Sequence, residues 1–206
     1  MSGPRTRCLW LLLAVLLGGC AGLQRQPPPL DFRLELEAGA IPELPRQDGI
    51  LRIARPEAVA GTDTRRIAYR LQPHQLRYYT RSRWIDSPAR MLGTVLAGGF
   101  EASGLFRAVT DDGTLPADYL LKTQLLRLEQ QLPPDGPGTV QLQLRMQLIR
   151  LPERQLLASK LIRVDAPSPG RNAAGAVAGA QAALEQAVVE AILATAAALG
   201  LPARRG

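Results

Sequence analysis

Apolar and polar residues alternate along several stretches of the chain, which is the pattern of β-strands that bury one face. The clearest alternation covers residues 140–148, where every even-numbered residue is apolar and glutamine or arginine fills the odd positions. Similar patterns predict strands over residues 32–37, 50–54, 105–110, 118–131 and 155–164. Short turns rich in proline or charge separate residues 118–131, 140–148 and 155–164. We therefore predict that they form an antiparallel meander with one buried face.

Residues 65–84 predict a β-hairpin around a proline-containing turn. Ile67 and Tyr69 alternate with arginines before the turn, and Leu76 and Tyr78 do so after it. Because successive side chains of a strand point to opposite faces, we expect these four residues to face the core.

Two further segments have helical periodicity. Ser87 and Pro88 are a capping residue and a first-turn proline, and apolar residues then recur at spacings of three and four up to Gly104. A second helix is predicted from about Asn172 to Leu199. Its apolar stripe consists of Val177, Leu184, Val188, Ile192, Thr195 and Leu199.

The second predicted helix is apolar enough to raise a transmembrane interpretation. Glu185 and Glu190 interrupt it, and a carboxylate inside a bilayer costs a few kcal/mol. We therefore predict a core helix that lies on the sheet. The pair Gly175 and Gly179 favours close helix-on-sheet packing over helix dimerisation.

These elements predict a two-layer α+β domain over residues 30–200. It contains an antiparallel sheet of about six or seven strands with two main helices on one face. The length of 206 residues and an apolar content of 46% agree with one domain that has a real core. Residues 201–206 are predicted to form a C-terminal tail.

The first twenty residues have the pattern of a processing signal. Arg5 and Arg7 precede an almost wholly apolar run over residues 9–17, which is too short to span a hydrocarbon core of about 30 Å as a helix. Leu17-Gly18-Gly19-Cys20 then resembles a bacterial lipobox. The resemblance implies a signal peptide over residues 1–19 and acylation of Cys20. The alternative is an ordinary signal peptide cut elsewhere, which leaves Cys20 as a free thiol.

Cleavage at the lipobox changes the interpretation of the mature protein. Residues 20–29 contain three consecutive prolines and predict a lipidated tether. The net charge falls from +7 to +5, because residues 1–19 hold two arginines and no acid. Cys8 leaves with the signal, so the two cysteines predict no disulfide. Ala21 stands where bacterial lipoproteins retained at the inner membrane have aspartate, which implies by resemblance the periplasmic face of the outer membrane. We therefore expect no nucleic-acid partner.

The composition argues against most catalytic classes. A single histidine and two cysteines leave little for metal or thiol chemistry, and the sequence has no nucleophile elbow, phosphate loop, H-E-x-x-H or C-x-x-C motif. We interpret His74 as an exposed turn residue and Asp111-Asp112-Gly113 as a strand-ending turn. Trp84 is interpreted as a structural cover. We therefore expect a protein that is not an enzyme and that uses no cofactor or metal.

One chemical feature stands above this background, a basic face on the predicted hairpin. Its members are Arg66, Arg70, Arg77, Arg81 and Arg83. Guanidinium groups pair bidentately with carboxylate and phosphate, so this face is a candidate contact for an anionic partner. The alternative is a solvated face that has no partner.

Three ordered segments carry a family resemblance. They are residues 69–88, which end in Arg83-Trp84-Ile85-Asp86-Ser87-Pro88, residues 103–109 and residues 117–121. Together with the lipobox and the alanine-rich last helix, they resemble the ABC-type transport auxiliary lipoprotein component family, to which the paraquat-inducible protein C-like lipoproteins belong. The resemblance covers nearly all of residues 30–200.

The resemblance implies an accessory role in an Mce-type lipid transport system. The partners would be a periplasm-spanning Mce-domain protein and, through it, an inner-membrane ABC permease and ATPase, with a homo-oligomer as a further possibility. The alternative from another class is an outer-membrane adaptor that binds the cell wall or activates a peptidoglycan synthase.

Overall fold

The computed structural model describes residues 28–36 and 41–201. The predicted signal peptide, Cys20 and nearly all of the tether and tail lie outside the described residues. Within them, nine strands and two helices follow one another along the chain. The strands are β1 (Leu30–Phe32), β2 (Gln47–Ile53), β3 (Glu57–Ala58), β4 (Arg66–Arg70), β5 (Arg77–Trp84), β6 (Phe106–Thr110), β7 (Tyr119–Gln131), β8 (Gly138–Arg150) and β9 (Gln155–Ser168), and the helices are α1 (Pro88–Ala102) and α2 (Ala173–Ala198).

The nine described strands belong to one open sheet that is built around β7. On one side β7 pairs antiparallel with β8, and β8 pairs antiparallel with β9, so the predicted meander is confirmed. On the other side β2, β3 and β4 pair in parallel with successive parts of β7. The pairs β1–β5 and β2–β6 are also parallel. The α+β class is confirmed, but the prediction of six or seven purely antiparallel strands is wrong.

The missed pairings have a physical cause. Parallel strands need a crossover connection, and here β5 leads into α1, which packs across the sheet before the chain returns as β6. β1 covers Leu30–Phe32, and residues 33–36, which the alternating pattern predicted to be in a strand, are not part of one. β3 has two residues, too few to show an alternating pattern. Periodicity identifies a strand without identifying its neighbour.

A bulge in β7 reverses which residues of that strand face the core. Leu125 lies opposite Leu144 while Arg127 lies opposite Gln143, so Leu126 is the extra residue. The buried positions are odd-numbered up to Leu125, and after the bulge Leu128 and Gln130 join the core face, while Glu129 between them is buried as well. The bulge therefore brings a polar residue, Gln130, into the interior at the end of the strand.

Helix α1 has the predicted boundaries. Ser87 is its N-cap residue and Pro88 its first helical residue, while Gly104, just beyond its end, has a φ of +63°. The Asp86 carboxylate accepts a hydrogen bond from the Ser87 backbone N–H at 2.7 Å. One face of α1 is buried, including Leu92, Leu96 and Phe100, so the amphipathic prediction is confirmed.

Helix α2 is a core element, as its stripe predicted. By length and composition this helix could cross a membrane, but half of its apolar window is buried within the domain. Leu184, Val188 and Ile192 are each at most 1% exposed. At its start, the Asn172 side chain accepts a hydrogen bond from the Gly175 N–H. Lys160 of β9 also binds Glu190 at 2.9 Å, which accounts for one carboxylate of this helix.

Two glycines near the start of α2 allow close packing. A Cβ on Gly179 would lie 2.6 Å from Val140 Cγ2 and 3.0 Å from the Pro167 carbonyl oxygen. A Cβ on Gly175 would overlap the backbone of Gly170 in the segment that precedes the helix. The predicted helix-on-sheet role is therefore confirmed for Gly179, whereas Gly175 packs against the preceding segment.

A neighbouring pair of glycines in α1 provides a test of the helix–helix contact. A Cβ on Gly99 would lie 2.6 Å from Val188 Cγ1 of α2, whereas Leu36 Cδ2 is 4.0 Å from the position that a Cβ on Gly98 would take. We expect Gly98→Ala to stabilise the domain by about 0.5–1 kcal/mol, because alanine lowers the entropic cost of helix formation. We expect Gly99→Ala to destabilise it by about 1 kcal/mol or more, because overpacking outweighs that gain.

Denaturant unfolding of the two purified variants measures both effects in one experiment. Gly98→Ala serves as the matched control, since it makes the same chemical change one residue away. Two stabilised variants would show that α1 and α2 are not packed as closely as described.

Candidate functional site

The five arginines of the predicted basic face do not share one surface. In the β4–β5 hairpin Arg66 lies opposite Arg83, and Ala68 lies opposite Tyr78, so these positions share the outer face. Arg77 lies opposite Tyr69, which places it on the other face at the start of β5. The hairpin therefore distributes the arginines over both faces.

The prediction that Tyr78 faces the core is wrong, because the next residue, Tyr79, does so. The Tyr78 ring lies beneath the Arg66 guanidinium, with the Arg66 Cζ 3.9 Å from the ring centre, and its hydroxyl donates to the Gly61 carbonyl oxygen. Leu76 is also outside the core, with 38% of its surface exposed. The register of the hairpin shifts between Arg66 and Ala68, which simple alternation from residue to residue does not anticipate.

Tyr79 takes the inward position instead. Its ring centre lies 4.6 Å from that of Tyr69, and its hydroxyl donates to Gln130 Oε1 at 2.6 Å. Burial raises the pKa of the Tyr79 hydroxyl, so this group stays protonated and acts as a hydrogen-bond donor. Ile67 and Trp84 complete this part of the core at 1% and 3% exposed, and the interpretation of Trp84 as a structural cover is confirmed.

Arg83 holds the short first strand in place. Its Nε donates to Asp31 Oδ1 at 2.7 Å, and Arg65 approaches the same oxygen at 3.3 Å. The Arg83 hydrogen bond holds the pKa of the Asp31 carboxyl below its usual range. Since β1 contributes only three residues to the sheet, this exposed ion pair supplements a small set of backbone hydrogen bonds.

Arg70 is engaged in an inner ion pair. Its Nη2 lies 3.1 Å from Glu129 Oε2, and the Glu129 side chain is only 6% exposed. Gln131 Nε2 also donates to Glu129 at 2.8 Å, and Arg127 lies 3.5 Å from the same carboxylate. Removing Arg70 would leave a nearly buried carboxylate short of a partner, so its main contribution is to the local structure.

Arg66, Arg77, Arg81 and Arg83 are the exposed members of the set, and Arg83 is paired with Asp31. Within residues 28–36 and 41–201, none of the other three forms an ion pair with a carboxylate. Arg66 stacks on Tyr78, while Arg77 and Arg81 extend into solvent along β5. These three guanidinium groups are therefore the accessible part of the sequence-predicted site.

A polar network that the sequence did not predict fixes the loops beside the hairpin. Gln130, 1% exposed, donates to Ser168 Oγ and to the Gly170 carbonyl oxygen. Arg171 donates to the carbonyl oxygens of Pro133 and Gly136 at 2.7 and 3.1 Å. In the sequence this network is marked only by two adjacent glutamines, Gln130 and Gln131, at the end of a long strand. Their residue type does not show that Gln130 is buried. The network holds the proline-rich loop between β7 and β8 against the segment before α2.

A cleft of about 590 Å³ opens between this loop and the β4–β5 turn. Leu71 and Pro73 line it from the turn, Pro133 and Pro137 line it from the loop, and Arg70 contributes to its wall. The cleft therefore combines apolar walls with a guanidinium group that Glu129 already holds.

The remaining sequence-predicted chemical candidates lie in turns. His74 is exposed with a φ of +65°, in the β4–β5 turn as expected. Asp112 accepts hydrogen bonds from the backbone and hydroxyl of Thr114, which lower the pKa of its carboxyl. Among the described residues no group of three or more histidine, cysteine, aspartate or glutamate residues is placed to hold a metal ion.

Comparison with protein families gives a match that spans most of the domain. The model of the family described as ABC-type transport auxiliary lipoprotein component matches residues 33–192. No curated protein matches the chain.

Two solved structures share the fold. A protein of the DUF330 family from Xanthomonas campestris superposes with a TM-score of 0.69 and 24% sequence identity, over 84% of this chain and 95% of that one. An uncharacterised protein superposes with a TM-score of 0.65 and 12% identity, over 81% of this chain and 98% of that one. At these identities the likeness shows a common fold.

Proposed function

The chain belongs to the ABC-type transport auxiliary lipoprotein component family, and from this premise we propose that it is a non-catalytic, outer-membrane-anchored subunit of an Mce-type lipid transport system. The observation that carries the proposal is the family match, which covers residues 33–192 and so includes β2 to β9, α1 and most of α2. Because the match covers nearly the whole domain, we apply the family's description, an auxiliary component, to the domain as a whole.

The proposed anchor is a lipid on Cys20. Leu17-Gly18-Gly19-Cys20 supports it, because a cysteine after small residues at the end of the apolar run is the pattern of a lipoprotein signal. The family description, a lipoprotein component, agrees with membrane attachment. Two or more acyl chains would attach the domain stably, whereas a single chain binds reversibly. Ala21 supports the outer membrane as the destination.

The proposed direct partner is a periplasm-spanning Mce-domain protein, linked to an inner-membrane ABC permease and ATPase. A domain tethered at the outer membrane can contact only the distal part of such a system, so its role would be to dock and stabilise the conduit. The accessible guanidinium groups of Arg66, Arg77 and Arg81 support a contact with an anionic surface.

Affinity purification tests this role. An affinity-tagged copy of the full-length protein, processed in its own cells and extracted with mild detergent, is expected to recover the Mce-domain protein and the ABC permease together. In cells that lack the Mce-domain protein, recovery of the permease should fall at least tenfold, because the conduit links the two. Recovery of a peptidoglycan synthase or of cell-wall fragments, with the Mce-domain protein absent, would contradict the proposal and favour the adaptor alternative.

A further inference from the structure

The direction of β1 indicates which end of the domain lies nearest the lipid anchor. β1 runs parallel to β5, with Leu30 opposite Ser82 and Phe32 opposite Trp84. β5 itself begins after the β4–β5 turn, residues 71–76, and runs toward α1. The chain therefore enters β1 from the side of the turn and runs toward the α1 end of β5.

The loop between β7 and β8 lies at the same end of the sheet as this turn. Arg70 at the end of β4 is opposite Gln131 at the end of β7, so the turn and the loop of residues 132–137 are neighbours. These two connections, with residues 169–172 before α2, form what we call the tip end. The β8–β9 turn, residues 151–154, lies at the opposite end of the sheet.

Chain length is compatible with the tip end as the membrane-proximal end. Ten peptide units separate Cys20 from Leu30, and they span at most about 35 Å. The strand from Ser82 back to Leu76 covers about 20 Å, so a tether that continues the direction of β1 is long enough to place Cys20 at a membrane beyond the tip end.

Charge distinguishes the two ends in the same direction. Four arginines and two carboxylates lie in residues 70–77, 127–138 and 168–172. Four arginines and five carboxylates lie in residues 46–48, 107–119 and 150–155 at the opposite end. An anionic surface therefore favours the tip end over the opposite end.

The tip end is also apolar and held in shape. Leu76 is 38% exposed there, and the loop adds exposed Pro133, Pro134 and Pro137. Arg171 fixes this loop through two carbonyl oxygens. Exposed apolar residues flanked by cations are the combination that binds at a lipid headgroup layer.

We propose that the tip end rests on the bilayer, with Arg77 contacting the phosphates of anionic phospholipids and Leu76 entering the headgroup layer. The inference rests on the proposed lipidation of Cys20, and it adds a defined orientation to that anchor. The opposite end of the domain then points away from the membrane and is left accessible to other components.

Tryptophan reporters at the two ends test the orientation. The lipidated mature protein is reconstituted into vesicles of brominated phosphatidylcholine and phosphatidylglycerol, with Leu76→Trp in one sample and Leu156→Trp in the other. Leu156, 53% exposed beside the β8–β9 turn, is the matched control at the opposite end. Trp84 is 3% exposed and contributes the same background to both. We expect the lipid bromines to quench the Leu76→Trp reporter at least threefold more than the control.

Charge reversal then tests the phosphate contact. Arg77→Glu, added to the Leu76→Trp reporter, should lower quenching at least twofold in vesicles with phosphatidylglycerol, whereas Arg81→Glu, four residues further along β5, should lower it less. Neither change should have much effect in vesicles of brominated phosphatidylcholine alone. A nitroxide spin label on Gln75→Cys gives a second measurement, with slower motion expected on membrane binding.

The possible results separate the orientation from the anchor. Equal quenching of both reporters, or stronger quenching of the Leu156→Trp reporter, overturns the orientation while vesicle flotation still shows an anchored protein. Unchanged quenching after charge reversal overturns the phosphate contact, and a concurrent loss of the Mce-domain protein in affinity purification would assign the arginines to that partner. Failure of the protein to float with vesicles overturns the anchor and the orientation together.

Discussion

Replacing Leu184 with aspartate is expected to lower the free energy of unfolding by about 4–6 kcal/mol. Leu184 is 1% exposed in α2, among buried alanines and Val188. Removing a buried leucine side chain costs about 2–5 kcal/mol, and an unpaired carboxylate in its place adds a few more. Since the stability of a domain is about 5–15 kcal/mol in total, this single change consumes a large part of it.

Thermal and denaturant unfolding of the purified protein measure this effect. Gln186→Asp is the matched control, because Gln186 is exposed in the same helix and a carboxylate there stays in water. We expect the control to change stability by less than about 1 kcal/mol. Similar unfolding curves for the two variants would contradict the placement of α2 in the core.

Replacing Cys20 with serine is expected to abolish lipid attachment completely. A serine hydroxyl cannot form the thioether that links the lipid to the chain. The variant should therefore accumulate either as an uncleaved precursor, held by residues 9–17, or as a folded protein released from the membrane. Incorporation of labelled palmitate and fractionation of the cell envelope measure the two consequences separately.

Cys8→Ser is the control for this experiment. Cys8 lies within the predicted signal peptide, so its replacement should leave both labelling and membrane attachment unchanged. Palmitate that persists on the Cys20→Ser variant would contradict the lipobox interpretation. The same holds for a processed Cys20→Ser protein that still fractionates fully with outer membranes.

The placement of Arg70 changes how the basic hairpin should be probed. Sequence alone groups Arg70 with Arg81, but the 3.1 Å contact between Arg70 and the nearly buried Glu129 makes Arg70 part of the domain's internal structure. Arg70→Glu would place two carboxylates together at low exposure and would affect folding as well as binding. Arg77 and Arg81, both exposed, are therefore the informative positions.

The sequence by itself determined the elements whose stability is local or repetitive. Both helices lie where their caps and 3.6-residue period placed them, with Ser87 and Asn172 before their first turns. The β7–β9 meander follows from long alternating strands joined by short turns, which bring neighbours in sequence together in space. Gly179 in α2 likewise packs closely on the sheet, as the small-residue spacing predicted. Each of these features depends on residues within one element or its immediate neighbour.

Only the tertiary structure decided which distant strands pair and which side chains meet. The parallel pairing of β7 with β2, β3 and β4 leaves no periodic signal, because the partners are separated by crossovers and some are only a few residues long. The register shift in the β4–β5 hairpin places Tyr79, and not Tyr78, on the inner face, since a shift in register exchanges the two faces of a strand. Arg83 pairs with Asp31 and Arg70 pairs with Glu129, because the folded sheet places each carboxylate beside its arginine. Charge and alternation along the chain identified the arginines, and long-range contacts alone separated the structural ones from the accessible ones.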